Sequence, residues 1–146
     1  MTRAELTAKE LLLQAPARRV TVELHGRMME PFLRQGDLLM LRAVEPPDIR
    51  RGDVVTVRFL DKFPTCRITR VQGDRLTLTA DGWPDFCLEA ASGDIVGKLV
   101  RRTRAGRDLE CDTWRWRAHA AVAMAREAVR SLAPRVRRKR AQFALR

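Results

Sequence analysis

The sequence predicts a mainly β fold: a compact, coiled antiparallel sheet or barrel with a short N-terminal helix and a basic C-terminal helix. Runs rich in Val, Ile, Leu and Thr recur at roughly ten-residue spacing, which is typical of strands joined by tight turns. Gly-Asp pairs stand at the entry to four of these runs and supply turn chemistry. No helical pattern separates the runs, so a doubly wound parallel sheet is excluded.

The first element is a helix over residues 3–14. Thr2 and Glu5 have the spacing of a capping box, leucines follow on one side, and Pro16 ends the segment. Residues 1–18 are therefore expected to be an N-terminal helix and linker. The segment 20–24 then alternates apolar and polar residues, which predicts a half-buried strand.

The body, residues 19–111, is expected to be one β domain. Its further strands are predicted over residues 38–44, 54–60, 65–71, 75–80 and 95–102. Between the last two lies the least regular stretch, residues 81–93, in which Gly82 and Pro84 indicate a loop that passes over the body.

The tail, residues 112–146, is predicted to be a helix that ends or kinks at Pro134. Its apolar residues at helical spacing are Trp114, Ala118, Ala121, Val122, Ala125, Val129 and Leu132. A basic run follows, made of Arg135, Arg137, Arg138, Lys139 and Arg140. From Arg101 onward there are 14 basic and four acidic residues, a net charge of +10 out of +11, so the tail in particular is expected to meet an anionic partner.

Two placements of the tail helix remain open. Its apolar stripe with flanking arginines fits the surface of an anionic membrane, and it equally fits docking onto the β body. Nucleic acid is a weaker candidate because no helix-turn-helix pattern precedes the β body. No run of 18 apolar residues is present, so we expect a cytoplasmic protein, peripheral at the inner face of the membrane if the tail binds lipid.

The loop after the first predicted strand carries the most specific motif. Gly26, Met29 and Pro31 stand at the spacings of a Gly-x-Ser-Met-x-Pro loop that is followed by an apolar stretch and Gly-Asp. Met28 stands where that motif has serine. This loop resembles the nucleophile loop of the signal-peptidase-type serine proteases.

Three further motifs follow in the order of that family. They are Gly52-Asp53-Val54-Val55, then Thr69-Arg70-Val71 before Gly73-Asp74, and the closing stretch from Gly93 to Val100. The resemblance covers about residues 20–102, extends to the LexA-like proteins of the same clan, and implies their β fold. In the family a lysine or histidine base precedes the arginine of the second motif. Thr69 takes that place here and Arg70 matches the arginine.

The resemblance implies a catalytic site with both reacting positions replaced. The thioether of Met28 has no proton to lose, and the Thr69 hydroxyl is too weak a base at neutral pH. The surviving peptide-binding and oxyanion region would comprise Gly26, Arg27, Met28, Met29, Pro31 and Arg70. The leading expectation is an inactive pseudoprotease that binds an extended peptide or has a regulatory role.

Two alternatives stand beside it. The first is an active endopeptidase for leader or signal peptides with a non-standard dyad, built on Cys66 or His25; the only serines, Ser92 and Ser131, lie outside the loop. The second is a basic membrane-surface or nucleic-acid-binding module. The three cysteines are far apart and form no Cys-x-x-Cys pair, so neither a metal site nor a cofactor is expected.

Overall fold

A computed structural model describes residues 19–111 and, in the tail, positions 118, 121, 122, 124–126, 128 and 129. The described tail positions are helical. The helix expected over residues 3–14 and the basic run 135–140 lie outside the described residues.

Eight strands form one antiparallel sheet. They are β1 (Arg19–Glu23), β2 (Leu38–Arg42), β3 (Val54–Val57), β4 (Thr65–Gln72), β5 (Arg75–Ala80), β6 (Trp83–Ala91), β7 (Ile95–Arg104) and β8 (Arg107–Glu110). Short 3-10 turns lie at Pro46–Asp48 and Ser92–Asp94. The strand order is β1-β2-β7-β3-β4-β5-β6, and β8 pairs with the second half of β7.

The mainly β fold predicted from the sequence is confirmed, and every predicted strand is present with small changes at its ends. The sheet does not close: β1 and β6 stand at its two ends and are not paired with each other. The sequence left open whether the strands form a sheet or a closed barrel, and the described strands form an open sheet.

The loop expected over residues 81–93 is wrong, because most of it is the nine-residue strand β6. Pro84 suggested a loop because proline cannot donate to a strand ladder. In β6, Pro84 lies in the irregular stretch of the pairing with β5, between the pairs Ala80–Trp83 and Thr79–Cys87, where no regular ladder needs its donor. The alternation of buried Phe86 and Leu88 with less buried neighbours is that of a strand.

Strand β8 also follows from a turn that the sequence interpretation left out. Ala105 and Gly106 both have positive φ, at 49° and 73°, which is the backbone of a two-residue hairpin turn. This turn folds Arg107–Glu110 back onto β7.

The central strands separate two apolar clusters. On β3, Val54 packs into the first cluster and its neighbour Val55 into the second, since successive side chains point to opposite faces. The first cluster comprises Met29, Leu33, Leu39, Leu41, Val54, Val96, Leu99 and Cys111. The second comprises Val55, Val57, Cys66, Ile68, Leu76, Leu78, Ala80, Phe86 and Leu88.

A bulge at Thr69 keeps β4 in register with the second cluster. Val71 lies opposite Leu76 and Ile68 opposite Leu78, so one extra residue is inserted in β4 between these pairs. Because of this insertion, Cys66 and Ile68 share a face with Leu78 instead of turning away from it.

Candidate functional site

The loop that carries the family-like motif joins β1 to β2 and is closed at its base by backbone hydrogen bonds. The Leu24 amide donates to the Asp37 carbonyl at 2.8 Å, and the Gly36 amide donates to the Leu24 carbonyl at 2.9 Å. Gly26 and Gly36 take φ values of +92° and +89°, which a residue with a side chain rarely adopts. The two glycines therefore mark the corners of a defined loop.

The six residues expected to form the peptide-binding region differ in exposure. Gly26, Arg27, Pro31 and Arg70 are exposed. Met29 is 1% exposed and belongs to the first apolar cluster, whereas Met28 is half-buried and packs against the second. The two methionines thus anchor the loop in both clusters, and the Met28 thioether packs where the family would present a reactive hydroxyl.

Gly82, in the turn between β5 and β6, lies directly against the loop. Its amide donates to the Met28 carbonyl at 2.7 Å. A Cβ at this position would lie 2.6 Å from the Arg27 carbonyl oxygen and 3.0 Å from that of Glu30. Only glycine fits this contact, because the opposing atoms are backbone and cannot move independently.

A buried ion pair supports the same loop from below. The Arg67 guanidinium donates to both carboxylate oxygens of Asp81, at 2.9 and 2.7 Å, and to the Gly52 carbonyl at 2.9 Å. The two side chains are 1% and 7% exposed. The guanidinium carbon also lies 5.3 Å from the ring centre of Phe32, a loop residue, in cation–π geometry.

Two arginines of β7 hold the other side of the loop. Arg104 donates to both carboxylate oxygens of Asp37 at 2.7 Å, and the Arg34 amide donates to the same carboxylate at 2.8 Å. Arg102 donates to the Phe32 carbonyl at 2.8 Å, while its buried Nε has no partner.

Burial by itself raises the pKa of Asp37, but the hydrogen bonds from Arg104 and Arg34, with the charges of Arg104 and Arg102, outweigh it. The pKa of Asp37 is therefore lowered from its ordinary value of 3.8. The carboxylate stays charged at neutral pH and holds Arg104.

Thr69, the expected base position, is the bulged residue of β4. It is half-buried, and its hydroxyl donates to the Thr77 carbonyl at 3.2 Å. Ile68, the preceding residue, belongs to the second cluster, against which Met28 also packs. The oxygen of the Thr69 hydroxyl keeps its acceptor lone pairs, but a neutral hydroxyl is too weak a base to take a proton at neutral pH.

The residues considered as replacement nucleophiles are poorly placed for attack. Cys66 is 0% exposed, and burial followed by the charge of Asp81 raises the pKa of its thiol to about 12. The Ser92 hydroxyl donates to the Asp74 carboxylate in the turn before β7. His25 is exposed on the loop.

The Arg67–Asp81 and Asp37–Arg104 pairs were missed from the sequence. A signal for the first was present, since an arginine between Cys66 and Ile68 in an apolar run requires a buried carboxylate. The bulge at Thr69 hid its partner, because a regular hairpin would place Arg67 opposite Ala80 and not opposite Thr79, two residues before Asp81. The second pair joins positions 67 residues apart, and no local pattern links them.

In residues 19–111 and the described tail positions, no cluster of three or more His, Cys, Asp or Glu side chains is arranged to hold a metal ion. The same part of the chain contains no helix with the length and apolar character needed to span a bilayer. No protein-family model matches the sequence, and a search of curated proteins finds no match.

Proposed function

We propose that the chain is a catalytically inactive relative of the signal-peptidase and LexA-like proteins that binds an extended peptide segment at the loop of residues 26–31. The observation that carries the proposal is that the loop is fixed from separate parts of the sheet although residue 28 is methionine. Gly82 holds the Met28 carbonyl, Arg102 holds the Phe32 carbonyl, and Arg104 holds Asp37. Contacts of this kind keep the loop in one geometry, which a binding site needs even when no nucleophile is present.

The ends of the sheet support an extended ligand. β1 ends at Glu23, just before the loop, and β6 begins at Trp83, next to the Gly82 contact. Each of these strands has one neighbour in the sheet, so each presents backbone donors and acceptors on its other side. A peptide strand that adds to either edge would gain main-chain hydrogen bonds close to the loop.

Trp83 offers a contact for apolar side chains of such a peptide. It is 44% exposed, and its ring lies 5.6 Å from that of buried Phe86, so it is supported from below. Aromatic side chains that are anchored yet exposed are frequent in peptide-binding surfaces because they supply contact area at low entropic cost.

The test uses the full chain and an alanine-rich leader-type peptide with a fluorescent label, followed by fluorescence anisotropy. Gly82→Ala drives a methyl group into the Arg27 carbonyl and must displace the loop, so peptide affinity should fall at least about tenfold. Gly93→Ala is the matched control, because a Cβ there meets nothing within 4 Å. Equal affinity of the two variants, with both folded by circular dichroism, would contradict the proposal.

The enzyme alternative is tested with the same peptide after long incubation. The proposal expects no cleavage, because Met28 cannot attack and the Cys66 thiol is buried with its pKa raised to about 12. Reproducible cleavage that disappears in Cys66→Ala or His25→Ala would replace the pseudoprotease with a peptidase of non-standard dyad.

The tail carries a second candidate function, contact with an anionic membrane surface. Its described helical residues Ala118, Ala121, Val122, Ala125 and Val129 are all exposed. Val122 is 49% and Val129 68% exposed, which favours an external partner over docking of this stripe on the β body. The basic run that follows in sequence would add about 1 kcal/mol per residue near anionic lipid.

Co-sedimentation with phosphatidylserine vesicles tests the second candidate. Val122→Asp with Val129→Asp should weaken vesicle binding several-fold, whereas Val71→Asp, an exposed valine on β4, should leave it unchanged. Oligonucleotide binding measured on the same variants separates the two anionic partners, because phosphate contacts do not need the apolar stripe. If the double variant binds vesicles as well as the wild type, the helix is not inserting.

A further inference from the structure

At the end of the β1–β2 hairpin away from the loop, three cations lie in one row across the sheet. Arg19 on β1 lies directly opposite Arg42 on β2, and Arg42 lies directly opposite Lys98 on β7. Residues directly opposite in an antiparallel sheet share a face, with Cβ atoms about 4.5–5.5 Å apart. Three cationic side chains therefore leave neighbouring positions on one face.

The row is only partly neutralised. The Lys98 ammonium lies 3.4 Å from the Asp53 carboxylate, and these side chains are 14% and 17% exposed. Arg19 contacts the Met40 sulfur at 3.9 Å, and within residues 19–111 no carboxylate pairs with Arg19 or Arg42. Two positive charges are left over.

Arg42 adds a second observation. Its Nε is buried and has no hydrogen-bond partner within the described part of the chain. A buried donor of a charged group that stays unpaired is costly, and like charges directly opposite each other add to that cost. An anion seated between the guanidinium groups of Arg19 and Arg42 would offset the repulsion between the like charges.

We infer that Arg19, Arg42 and Lys98 form a binding site for a phosphate group. Two guanidinium forks match phosphate oxygens in bidentate fashion, and the remaining charge of two matches a phosphomonoester dianion. The phosphate comes from a free phosphate compound or from a lipid headgroup, which present the same chemistry. The site uses none of the loop residues of the proposed peptide site and does not depend on it.

The test is a titration of inorganic phosphate into the full chain by isothermal calorimetry at fixed ionic strength, with chloride as the replacing salt. The wild type should show saturable binding at one site, and Arg42→Gln should weaken it at least about tenfold because it removes the central fork. Arg58→Gln is the matched control: Arg58 is exposed after β3 and outside the row, so binding should be unchanged.

Arg19→Gln keeps the test valid if Arg42→Gln fails to fold, because Arg19 is exposed and its removal leaves no cavity. No saturable phosphate binding by the wild type, or equal binding by wild type and both row variants, rules out a free phosphate ligand, and the site is overturned if the lipid vesicles described next also fail to distinguish the variants.

The two phosphate sources are separated with vesicles of phosphatidylcholine that contain phosphatidic acid. Tail binding contributes equally to wild type and to Arg42→Gln, so only the row accounts for a difference between them. A difference on vesicles without one for inorganic phosphate assigns the lipid headgroup, and a difference for both assigns a free phosphate group. If neither ligand distinguishes the variants, the inference fails.

Discussion

The two ends of the β1–β2 hairpin differ in whether their arginines are paired with carboxylates. At the loop end, Arg67 and Arg104 each meet a carboxylate with two hydrogen bonds, and Arg102 meets a loop carbonyl. At the other end, Arg19 and Arg42 face each other without a carboxylate in the described part of the chain. Charge that is matched internally fixes backbone geometry, whereas charge left unmatched is available to a ligand.

The largest expected effect on stability is at the loop end of the hairpin, where the arginines are paired with carboxylates. Asp81→Asn leaves the Arg67 guanidinium buried without a counter-charge, and we expect the free energy of unfolding to fall by about 3–5 kcal/mol in urea denaturation. Glu89→Gln, which removes the exposed Arg75–Glu89 pair, should cost less than about 1 kcal/mol. Similar losses in the two variants would mean that burial does not distinguish the two pairs.

The next effect is pH-dependent. Asp37→Asn removes the bidentate contact to Arg104 and should cost about 2 kcal/mol at pH 7. Because the pKa of Asp37 is lower in the folded chain than its ordinary 3.8, its stabilisation is complete above that value and is lost as pH falls through the folded pKa. Urea denaturation from pH 7 to pH 3 should therefore show wild type and variant converging in acid; a constant gap would contradict the role of the charge.

A smaller change in stability, of opposite sign, is expected at the other end of the hairpin, where Arg19 and Arg42 face each other. In buffer without phosphate, Arg42→Gln relieves repulsion from Arg19 and Lys98 and should raise the free energy of unfolding by about 0.5 kcal/mol. Added phosphate should stabilise the wild type and not the variant, so their order reverses. The comparison breaks if Arg42→Gln is the less stable protein in both buffers.

The smallest expected effect tests whether the Cys66 thiol can act as a nucleophile. Burial raises the pKa of the Cys66 thiol to about 12, so little thiolate forms at pH 8, and the side chain is inaccessible to a reagent. Labelling with a thiol reagent followed by peptide mass spectrometry should modify half-buried Cys87 well before Cys66. Faster labelling of Cys66 would reopen the cysteine alternative.

Much of the fold was predictable because it rests on local signals. Turn pairs and apolar runs located the strands, and Arg75–Ala80 was predicted residue for residue. The strand β6 was missed because proline argues against a regular ladder, whereas Pro84 lies where the β5–β6 register is irregular, and such an irregularity is not a local property of the sequence.

The candidate site was predictable only in part. The spacing of Gly26, Met29 and Pro31 located the loop from sequence. What holds the loop was not predictable, since Arg67 meets Asp81 only after the bulge at Thr69 shifts the register of β4. In the sequence, Thr69 was considered only as the position that a catalytic base would take. In the structure it is the extra residue of the bulge, and the bulge sets the face of β4 on which Arg67 lies.

The hydrogen bond from the Gly82 amide to the Met28 carbonyl links the turn at the start of β6 to the loop at the end of β1. This hydrogen bond therefore joins the segments next to the two outermost strands of the open sheet. Loss of this bond would uncouple the loop after β1 from the turn before β6, two segments that the strand order places at opposite ends of the sheet.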